Sequence, residues 1–377
     1  MKMLVGIDVG GTTTNAVLVD GDRVDKTAYV PTDHDDLLRC LLEALDELIR
    51  GVDVSKIERV VLSTTLITNM IAERKTDPVA LVLIPGPGTN PRDYNLGEAI
   101  ILDGAMDFRG KEIDRLNEPQ IEEAAASIEK SGISRVAVVG KFCQRNPSHE
   151  ESVSQILARA LPNSKIELGH RVSGHLNFPR RAATTMLTLA TKESYADFAA
   201  AISRALEGRR INAPVYILKA DGGTLPLEGS LKMPVETIFS GPAASIMGVM
   251  ALTPPGQTSV VVDIGGTTTD LALILSGRPL LSSKGARVDS MLTHVRAFAI
   301  KSVAIGGDSA VDVDDGCLAV GPERRGPPLC LGGSSPTPTD ALRVLGKSSV
   351  GDLEKAKEAM AGVAGKMGCS IEKAAGM

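Results

Sequence analysis

A Gly-rich motif occurs twice in this chain of 377 residues, and the two copies lie 255 residues apart. Asp8-Val-Gly-Gly-Thr-Thr-Thr-Asn15 returns as Asp263-Ile-Gly-Gly-Thr-Thr-Thr-Asp270, so six of the eight residues are identical. Each copy follows one apolar run and leads into another, which predicts a β-hairpin with a Gly-rich turn. Independent origin of the two turns is the alternative, but six matches in the same context argue against it. Solenoid repeats recur roughly every 20–50 residues, so this larger spacing predicts two similar domains that face each other.

The composition is that of a globular protein and argues against several classes of function. At about 150 residues per domain, the length predicts two or three domains. With 41 basic and 46 acidic residues the net charge is −5, so the chain lacks the basic surplus that nucleic-acid binding needs. Aromatic residues make up 3% and Trp is absent, which argues against a stacking platform for bases or sugars.

Cysteine, histidine and hydropathy patterns argue against metal-stabilised, secreted and membrane-spanning folds. The five Cys form no CxxC pair and the five His form no HExxH motif, so we expect neither a disulfide framework nor a structural zinc site. His170 and His175 are five residues apart, which suits no known ligand pattern. The chain begins directly with a strand-like run, and no apolar run approaches the ~18 residues of a membrane span. These features predict a cytoplasmic protein without a membrane partner.

Hydrophobic periodicity predicts an α/β protein. Strands are predicted over 23–30, 59–62, 79–84, 135–140 and 215–218, and helices over 33–50, 65–74, 119–130, 149–161, 179–206, 240–252, 339–346 and 351–368. Residues 89–118 are interpreted as an irregular insertion, and residues 312–320 as a hairpin with an Asp-Asp-Gly turn. The expected domains are 1–175 with a β/α insertion at about 76–170, then 176–345, then a helical segment 346–377 that packs back on the first domain.

Both Gly-rich turns have the composition of a phosphate-binding loop. Glycine removes the side chain, so a phosphate group can approach the backbone N–H groups closely, and Thr hydroxyls add further donors. The candidate phosphate-binding residues are Gly10, Gly11, Thr12 and Thr13 in the first turn and Gly265, Gly266, Thr267 and Thr268 in the second. The alternative is that each is only a tight hairpin turn.

Asp8 and Asp263 end the strands that lead into the two turns. Two like charges 4 Å apart repel by about 4 kcal/mol at an effective dielectric constant near 20, so carboxylates beside a triphosphate need a divalent cation between them. Mg²⁺ is the expected ion because it binds one or two carboxylates, retained waters and phosphate oxygens. Two phosphate turns and two aspartates thus predict one Mg²⁺-nucleotide site in a cleft. Farther along, Gly306-Gly307 follows an apolar run and provides a corner on which an adenine base can pack.

These motifs, in this order, resemble the nucleotide-binding motifs of the actin-like ATPase superfamily, and within it those of the hydantoinase/oxoprolinase family, A-type subunit. Further segments resemble that family's motifs along nearly the whole chain: Ser63-Thr-Thr-Leu-Ile-Thr-Asn69 with Glu73, Ala220-Asp-Gly-Gly223, Pro234 to Ala244, Gly321-Pro322, Cys330 and Pro338-Thr-Asp340. Departures from the family pattern include Asn15 in place of Asp, Ser63 in place of Gly and Asp308 in place of a third Gly.

The resemblance implies the actin-like ATPase fold, in which two ribonuclease-H-like domains carry duplicated phosphate-binding hairpins around a nucleotide cleft. It implies that ATP is the cofactor, that Asp8 and Asp263 position Mg²⁺, and that Gly306 and Gly307 contact the adenosine. Asp270 is a further candidate for holding Mg²⁺ or a water, and its alternative role is that of a polar hairpin residue.

Polar residues near the first hairpin are candidates for the substrate end of the site. Thr65 and Asn69 are the catalytic candidates there, with Thr64 beside them, and helix capping is the alternative role of the two Thr residues. Ser240 opens a helix whose N–H groups could bind a carboxylate or phosphate, or it caps that helix. Asp221 is a candidate base, although a turn-forming Asp before Gly-Gly is the favoured interpretation.

The implied activity is hydrolysis that depends on Mg²⁺ and ATP, in which a carbonyl of a small cyclic amide or imide is activated for ring opening. The alternatives are a phosphotransferase of the sugar- or acid-kinase kind and a nucleotide-gated switch that acts on a protein partner. The implied partners are a cyclic amide or carbonyl substrate and a B-type partner subunit, and homo-oligomerisation is left open. The family's A-type subunits usually run longer, so the chain is interpreted as a truncated or a short form.

Overall fold

The computed structural model describes residues 3–33, 35–314 and 316–377, which form a mixed α/β protein. The strands are β1 (Met3–Val9), β2 (Thr13–Asp20), β3 (Arg23–Pro31), β4 (Ile57–Thr64), β5 (Ala80–Ile84), β6 (Ala99–Ile101), β7 (Ala105–Met106), β8 (Glu112–Asp114), β9 (Arg135–Gly140), β10 (Lys165–Leu168), β11 (Val215–Leu218), β12 (Thr224–Pro226), β13 (Ser259–Ile264), β14 (Thr269–Leu275), β15 (Arg278–Pro279), β16 (Arg287–Val288), β17 (Met291–Leu292), β18 (Ile300–Val303), β19 (Val311–Asp314) and β20 (Cys317–Val320). The helices are α1 (Leu37–Ile49), α2 (Leu66–Ala72), α3 (Glu118–Ser131), α4 (Ser148–Ala160), α5 (Gly169–Val172), α6 (Phe178–Gly208), α7 (Leu227–Ser230), α8 (Ser240–Leu252), α9 (Pro338–Val344), α10 (Leu353–Met367) and α11 (Ile371–Gly376). Short 3₁₀ helices lie at Val54–Lys56, Pro91–Tyr94, Pro234–Thr237 and Leu329–Leu331.

The chain divides into two compact units. Residues 1–247 and 281–298 form the first unit, and residues 248–280 and 299–377 form the second. The domain boundaries expected at residues 175 and 345 stay predictions.

The first unit is built on a six-stranded sheet with the order β12-β11-β4-β1-β2-β3. β1 pairs with β2 in antiparallel and with β4 in parallel orientation, so the first Gly-rich hairpin lies in the middle of the sheet. Val5, Ile7 and Val9 alternate along β1 with less buried residues, because successive side chains of a strand point to opposite faces. They share a core cluster with Leu41 and Leu45 of α1, which packs on that face.

A second sheet in the first unit has the order β10-β9-β5-β6, and all of its strand pairs are parallel. Its central strand β9 is buried on both faces, as is typical of parallel sheets between helices. Val136 and Val138 pack with Ile121 of α3 and Val153 of α4. The intervening residues of β9 pack with Ala182 of α6 on the opposite face.

The second unit contains a smaller sheet in which β13 and β14 form the second Gly-rich hairpin. The other edge of β14 pairs with β18 and, farther along, with β15. The helices α9, α10 and α11 pack with the β19–β20 hairpin in a core cluster that includes Val311, Met360 and Ala374.

Most predicted elements are confirmed to within a few residues, including the long helix that spans Phe178–Gly208. The first helix is shorter than predicted because Asp36 caps it: its carboxylate accepts a hydrogen bond from Arg39 N at 3.0 Å. The prediction that residues 89–118 are irregular was wrong in part, since they contain β6, β7 and β8, and α11 was missed. His34, in the predicted first helix, and Asp315, in the predicted Asp-Asp-Gly turn, lie outside the described residues.

Candidate functional site

The same hydrogen bond closes both Gly-rich turns. Gly10 N donates to Thr13 O at 3.2 Å, and Gly265 N donates to Thr268 O at 2.9 Å. The two predicted β-hairpins are therefore confirmed. Because the bond recurs in two different settings, the turn geometry is a property of the repeated motif itself.

Glycine is favoured inside both turns for steric reasons. A Cβ atom at Gly10 would lie 2.9 Å from Thr13 O, and one at Gly265 would lie 3.3 Å from Thr268 O. A Cβ atom at Gly11 would meet no described atom within 4 Å, so the space next to the backbone is open there. The turns thus present backbone without side-chain cover, which is what the close approach of a phosphate group requires.

The two aspartates that precede the turns occupy the same position in their hairpins. Asp8 lies opposite Asn15, whereas Asp263 lies opposite Asp270, so the second hairpin holds two carboxylates where the first holds one. Burial raises the pKa of Asp270, a hydrogen bond from the Ser302 hydroxyl lowers it, and the charge of Asp263 raises it again. A cation at this carboxylate pair would offset the repulsion, so the pair fits the Mg²⁺ that the sequence predicts.

Sequence reasoning missed Ser302, whose hydroxyl donates a hydrogen bond to Asp270 Oδ1. Ser302 lies directly opposite Asp270 because β18 pairs with β14. No motif surrounds Ser302 in the sequence, so only the pairing of these two strands identifies it.

The first hairpin ends next to β4 and to the N-terminus of α8. Asp8 pairs in register with Ser63, which lies near the end of β4. A Cβ atom at Gly241, the second residue of the 13-residue helix α8, would lie 3.7 Å from Asp8 Oδ1. A helix N-terminus carries partial positive charge, so α8 stabilises negative charge at this end of the hairpin.

The Ser240 hydroxyl connects α8 to β4. It donates to Thr64 O at 3.1 Å and accepts hydrogen bonds from Thr64 N and from the Ser63 hydroxyl, both at 3.2 Å. All three residues are buried. One donated and two accepted bonds use the full capacity of a hydroxyl group, so this side chain does not cap its own helix.

Thr65 and Asn69, the catalytic candidates, contact each other on the first turn of α2. The Thr65 hydroxyl accepts a hydrogen bond from Asn69 Nδ2 at 3.2 Å, and Thr65 N donates to Val9 O at 3.1 Å. Both residues therefore lie beside the strand that leads into the first turn. The Thr64 hydroxyl instead accepts a hydrogen bond from Leu66 N at 3.1 Å, which is a local Thr turn, while the N-cap residue Thr65 makes no side-chain capping bond to α2.

Gly306 and Gly307 pack directly on the second Gly-rich turn. Gly307 N donates to Gly265 O at 2.9 Å, and Asp308 N donates to Gly266 O at 2.7 Å. A Cβ atom at Gly306 would lie 2.5 Å from Gly265 O, so a side chain is excluded there. Contact between these glycines and an adenosine stays a prediction.

Two other candidates have structural contacts of their own. Asp221 Oδ1 accepts a hydrogen bond from Gly223 N at 3.1 Å, as expected of a turn-forming Asp. His170 Nδ1 lies 2.6 Å from Oε2 of the buried Glu150. Within residues 3–33, 35–314 and 316–377, no group of three or more His, Cys, Asp or Glu is placed to hold a metal ion.

A pocket of about 330 Å³ lies elsewhere in the first unit, where the chain leaves β9 and enters α6. Lys141, Phe142, Phe178 and Arg181 are among the residues that line it. None of the predicted site residues lines it.

None of the helices in the described part of the chain combines the length and the apolar character needed to cross a membrane.

Comparison with known proteins identifies two matching family models. A model described as hydantoinase/oxoprolinase matches residues 181–376, and one described as the hydantoinase/oxoprolinase N-terminal region matches residues 4–161. The alpha subunit of caprolactamase from Pseudomonas jessenii is 27% identical over 98% of this chain and 60% of its own length. The 5-oxoprolinase of Saccharomyces cerevisiae is 26% identical over 91% of this chain and 31% of its own length.

Two solved structures match the whole fold. Nucleotide-free acetone carboxylase matches with a TM-score of 0.79 and 20% identity, and the ATP-dependent caprolactamase from Pseudomonas jessenii with a TM-score of 0.76 and 24% identity. Each match covers 99% of this chain and 60% of the other, so the chain spans about 60% of the length of these relatives. The matches confirm the predicted α/β fold of the actin-like type.

Proposed function

The chain belongs to the hydantoinase/oxoprolinase family, and we propose that it uses Mg²⁺-ATP to activate a carbonyl group of a small cyclic amide or imide for ring opening. The duplicated hairpin carries this proposal, because the turn hydrogen bond and the position of the aspartate recur in both units. Relatives described as an ATP-dependent caprolactamase and as an enzyme of ATP-dependent acetone carboxylation support ATP-dependent activation of an amide or carbonyl compound.

Each repeated element has a defined role in this proposal. The backbone N–H groups of Gly10–Thr13 and Gly265–Thr268 bind phosphate oxygens, as amides in Gly-rich turns do. Asp8 and Asp263 would hold Mg²⁺, which would neutralise charge on the phosphates, and Asp270 is a further carboxylate that would hold the ion or a water. The helix N-terminus beside Asp8 adds positive potential where the phosphates are negative.

ATP, when bound, supplies the phosphoryl group that makes a carbonyl oxygen a good leaving group. The protein contributes positioning and charge neutralisation. Thr65 and Asn69 suit a cyclic amide, because a hydroxyl and a carboxamide 3.2 Å apart offer both donors and acceptors to a carbonyl oxygen and an amide N–H.

Ring opening is proposed over carboxylation because the caprolactamase alpha subunit, whose name specifies a cyclic amide, is 27% identical over 98% of this chain, whereas the acetone carboxylase beta subunit is 24% identical over 86% of it. That relative is described as an alpha subunit, so a partner subunit is part of the proposal. The two reactions share carbonyl activation and differ in their need for bicarbonate, which gives an experimental distinction.

Calorimetric titration of the purified chain with ATP, with and without Mg²⁺, tests the nucleotide site. We expect Mg²⁺-dependent binding near one ATP per chain, and Asp263→Asn to weaken it at least about tenfold, since a charged hydrogen-bonding partner contributes about 1.5–3 kcal/mol. Asp25→Asn, on the exposed part of β3, is the matched control. Unchanged affinity in Asp263→Asn would show that the site assignment is wrong.

The reaction is tested by ADP release in the presence of a panel of cyclic amides, with bicarbonate removed. Stimulation by a cyclic amide together with an opened-ring product supports the proposal. Stimulation that requires bicarbonate would favour carboxylation. A stable phosphorylated product would favour the kinase alternative, and Mg²⁺-ATP binding without stimulation by any amide would favour the nucleotide-gated switch.

A further inference from the structure

The parallel sheet of the first unit has a point at which the order of its strands reverses. The chain enters the sheet at β5, adds β6 on one side, and then returns to add β9 and β10 on the other side. The segments that follow β5 and β9 leave toward opposite faces, since Leu96 packs on the α6 side of the sheet and Val153 of α4 packs on the other side. Neighbouring parallel strands whose connections diverge in this way leave a crevice at their carboxyl ends, which is where open α/β sheets bind ligands.

The pocket of about 330 Å³ is built from the segments that follow these two strands. The segment after β5 contributes Thr89 and Tyr94 to its lining, and the residues directly after β9 contribute Lys141, Phe142 and Gln144. The start of α6 and the residues before it supply the remaining wall. The pocket therefore occupies the place at which the sheet topology predicts a ligand site.

Two cations, Lys141 and Arg181, line the pocket, and none of the other lining residues that the structure describes is charged. Lys141 Nζ donates to Pro87 O at 2.9 Å and to Thr89 Oγ1 at 2.8 Å. An ammonium group has three N–H groups, so the third has no partner within the described part of the chain and can bind a ligand.

Arg181 holds the second cation in a fixed position. Its side chain is 1% exposed, Nη1 donates to His175 O at 3.0 Å, and Nη2 donates to Gly140 O. Burial lowers the pKa of Arg181, whereas the charge of Glu150 raises it. The carboxylate of Glu150 also accepts hydrogen bonds from Gly140 N and His170 N, both at 2.8 Å. Two backbone carbonyls thus hold the guanidinium beside the pocket, where its charge favours an anion.

Two buried atoms of the lining lack hydrogen-bond partners among residues 3–33, 35–314 and 316–377. They are Arg181 Nε and Gln144 Oε1. Buried polar groups in folded proteins are nearly always paired, because an unpaired group pays its full desolvation penalty. Phe142, in the same lining, has a φ angle of +63°, which is unfavourable for a bulky side chain and clusters at functional sites. Both observations indicate a pocket that is shaped for an occupant.

We propose that this pocket binds a small organic carboxylate with an apolar body. The carboxylate lies beside Lys141 and Arg181, and the apolar body covers Tyr94 and Leu176, which are 40% and 56% exposed in the lining. A free phosphate fits less well, because it would leave this apolar wall in water. The inference does not depend on the proposed nucleotide chemistry, because none of the residues of the two Gly-rich turns lines the pocket.

Ligand-observed fluorine NMR of the full chain tests the proposal with para-fluorobenzoate as the probe. The matched neutral probe is para-fluorobenzamide, which has nearly the same shape without the charge. We expect saturable binding of the carboxylate near one site per chain, at least about tenfold tighter than binding of the amide, because hydrogen bonds between charged groups are stronger than neutral ones. Excess Mg²⁺-ATP should not displace the probe.

Two variants locate the bound probe. Lys141→Met should weaken binding at least about tenfold, whereas Lys130→Met, which removes the same charge from an exposed position in α3, should leave the affinity unchanged. Leu176→Trp retains both cations but fills the pocket, so it should weaken binding as well. Because Leu176 is largely exposed, its substitution should leave the thermal midpoint unchanged, and this variant is informative even if Lys141→Met fails to fold.

Four results would each overturn the proposal: equal affinity for the two probes, no saturable binding of para-fluorobenzoate, its displacement by Mg²⁺-ATP, or unchanged affinity in a folded pocket variant. A chain that binds the probe but not Mg²⁺-ATP would contradict the proposed function alone.

Discussion

Val5 and Val260 occupy equivalent positions in the two hairpins, but Val5 is buried and Val260 is exposed, so the same substitution should affect stability differently at the two positions. Val5→Ala removes two carbon atoms from a buried side chain that shares a core cluster with residues of α1. At about 0.8 kcal/mol for each buried carbon, with a further term for the cavity, the expected loss of unfolding free energy is about 2–3 kcal/mol. Val260→Ala removes the same atoms from a side chain that is 61% exposed, so its expected effect is roughly 0.5 kcal/mol or less.

Tyrosine fluorescence provides an assay that is specific to the first unit. The chain has no Trp, and its four Tyr all lie in that unit: Tyr29, Tyr94, Tyr195 and Tyr216. Urea unfolding followed by Tyr fluorescence therefore reports on the first unit, while far-UV circular dichroism reports on both. With an m-value of about 2.5 kcal/mol/M, Val5→Ala lowers the fluorescence midpoint by about 1 M, and Val260→Ala shifts either midpoint by about 0.2 M or less.

Equal shifts in the two variants would refute the reasoning. They would mean that Val260 is buried in the isolated protein, for example by self-association through the exposed face of β13. Measurement at tenfold higher protein concentration identifies that case, because self-association raises the midpoint as concentration rises.

Three further variants test other features of the structure. Burial lowers the pKa of His294 to about 4, below the unfolded value near 6.5, so stability falls as pH falls through this window. Because the side chain is only partly buried, solvent screening reduces the effect, and urea titrations should show a loss of roughly 1 kcal/mol or less between pH 7 and pH 5 that His294→Gln removes. Burial, together with the charge of Asp263, raises the pKa of Asp270, so the second unit gains stability as pH falls toward the folded pKa of that carboxyl group. Asp270→Asn should raise the thermal midpoint at pH 7 and remove this gain, and an unchanged pH profile would contradict the raised pKa. Ser240→Ala should cost about 1–3 kcal/mol in thermal unfolding, because it leaves the buried Thr64 N without its acceptor, and Ser240→Cys is the milder control.

The hairpins could be predicted from sequence because their determinants are local. Two glycines and a run of Thr set a turn whose closing bond spans only three residues, from Gly10 N to Thr13 O and from Gly265 N to Thr268 O. Apolar alternation on either side then sets the register that puts each aspartate opposite its partner. Strong amphipathic periodicity located the long helices for the same reason.

The surroundings of the hairpins could not be predicted because they depend on distant contacts. Ser240 bonds to Thr64 across 176 residues, and Ser302 bonds to Asp270 across 32. Neither pair carries a sequence signal beyond the polar residues themselves. The short strands β6, β7 and β8 were missed because two or three residues are too few to show a period.

The divergence of the two sheets shows what a repeated motif does and does not determine. The motif determines a turn and the placement of a carboxylate, and both recur in the two units. Burial of the strand that leads into each turn depends on the elements that pack on that strand, and the burial patterns of β1 and β13 differ. Val260 and Val262 belong to a run whose apolar character predicts cover on both faces, yet only the face of Val261 has it. Such an exposed group of large apolar side chains on a regular sheet is costly to leave in water.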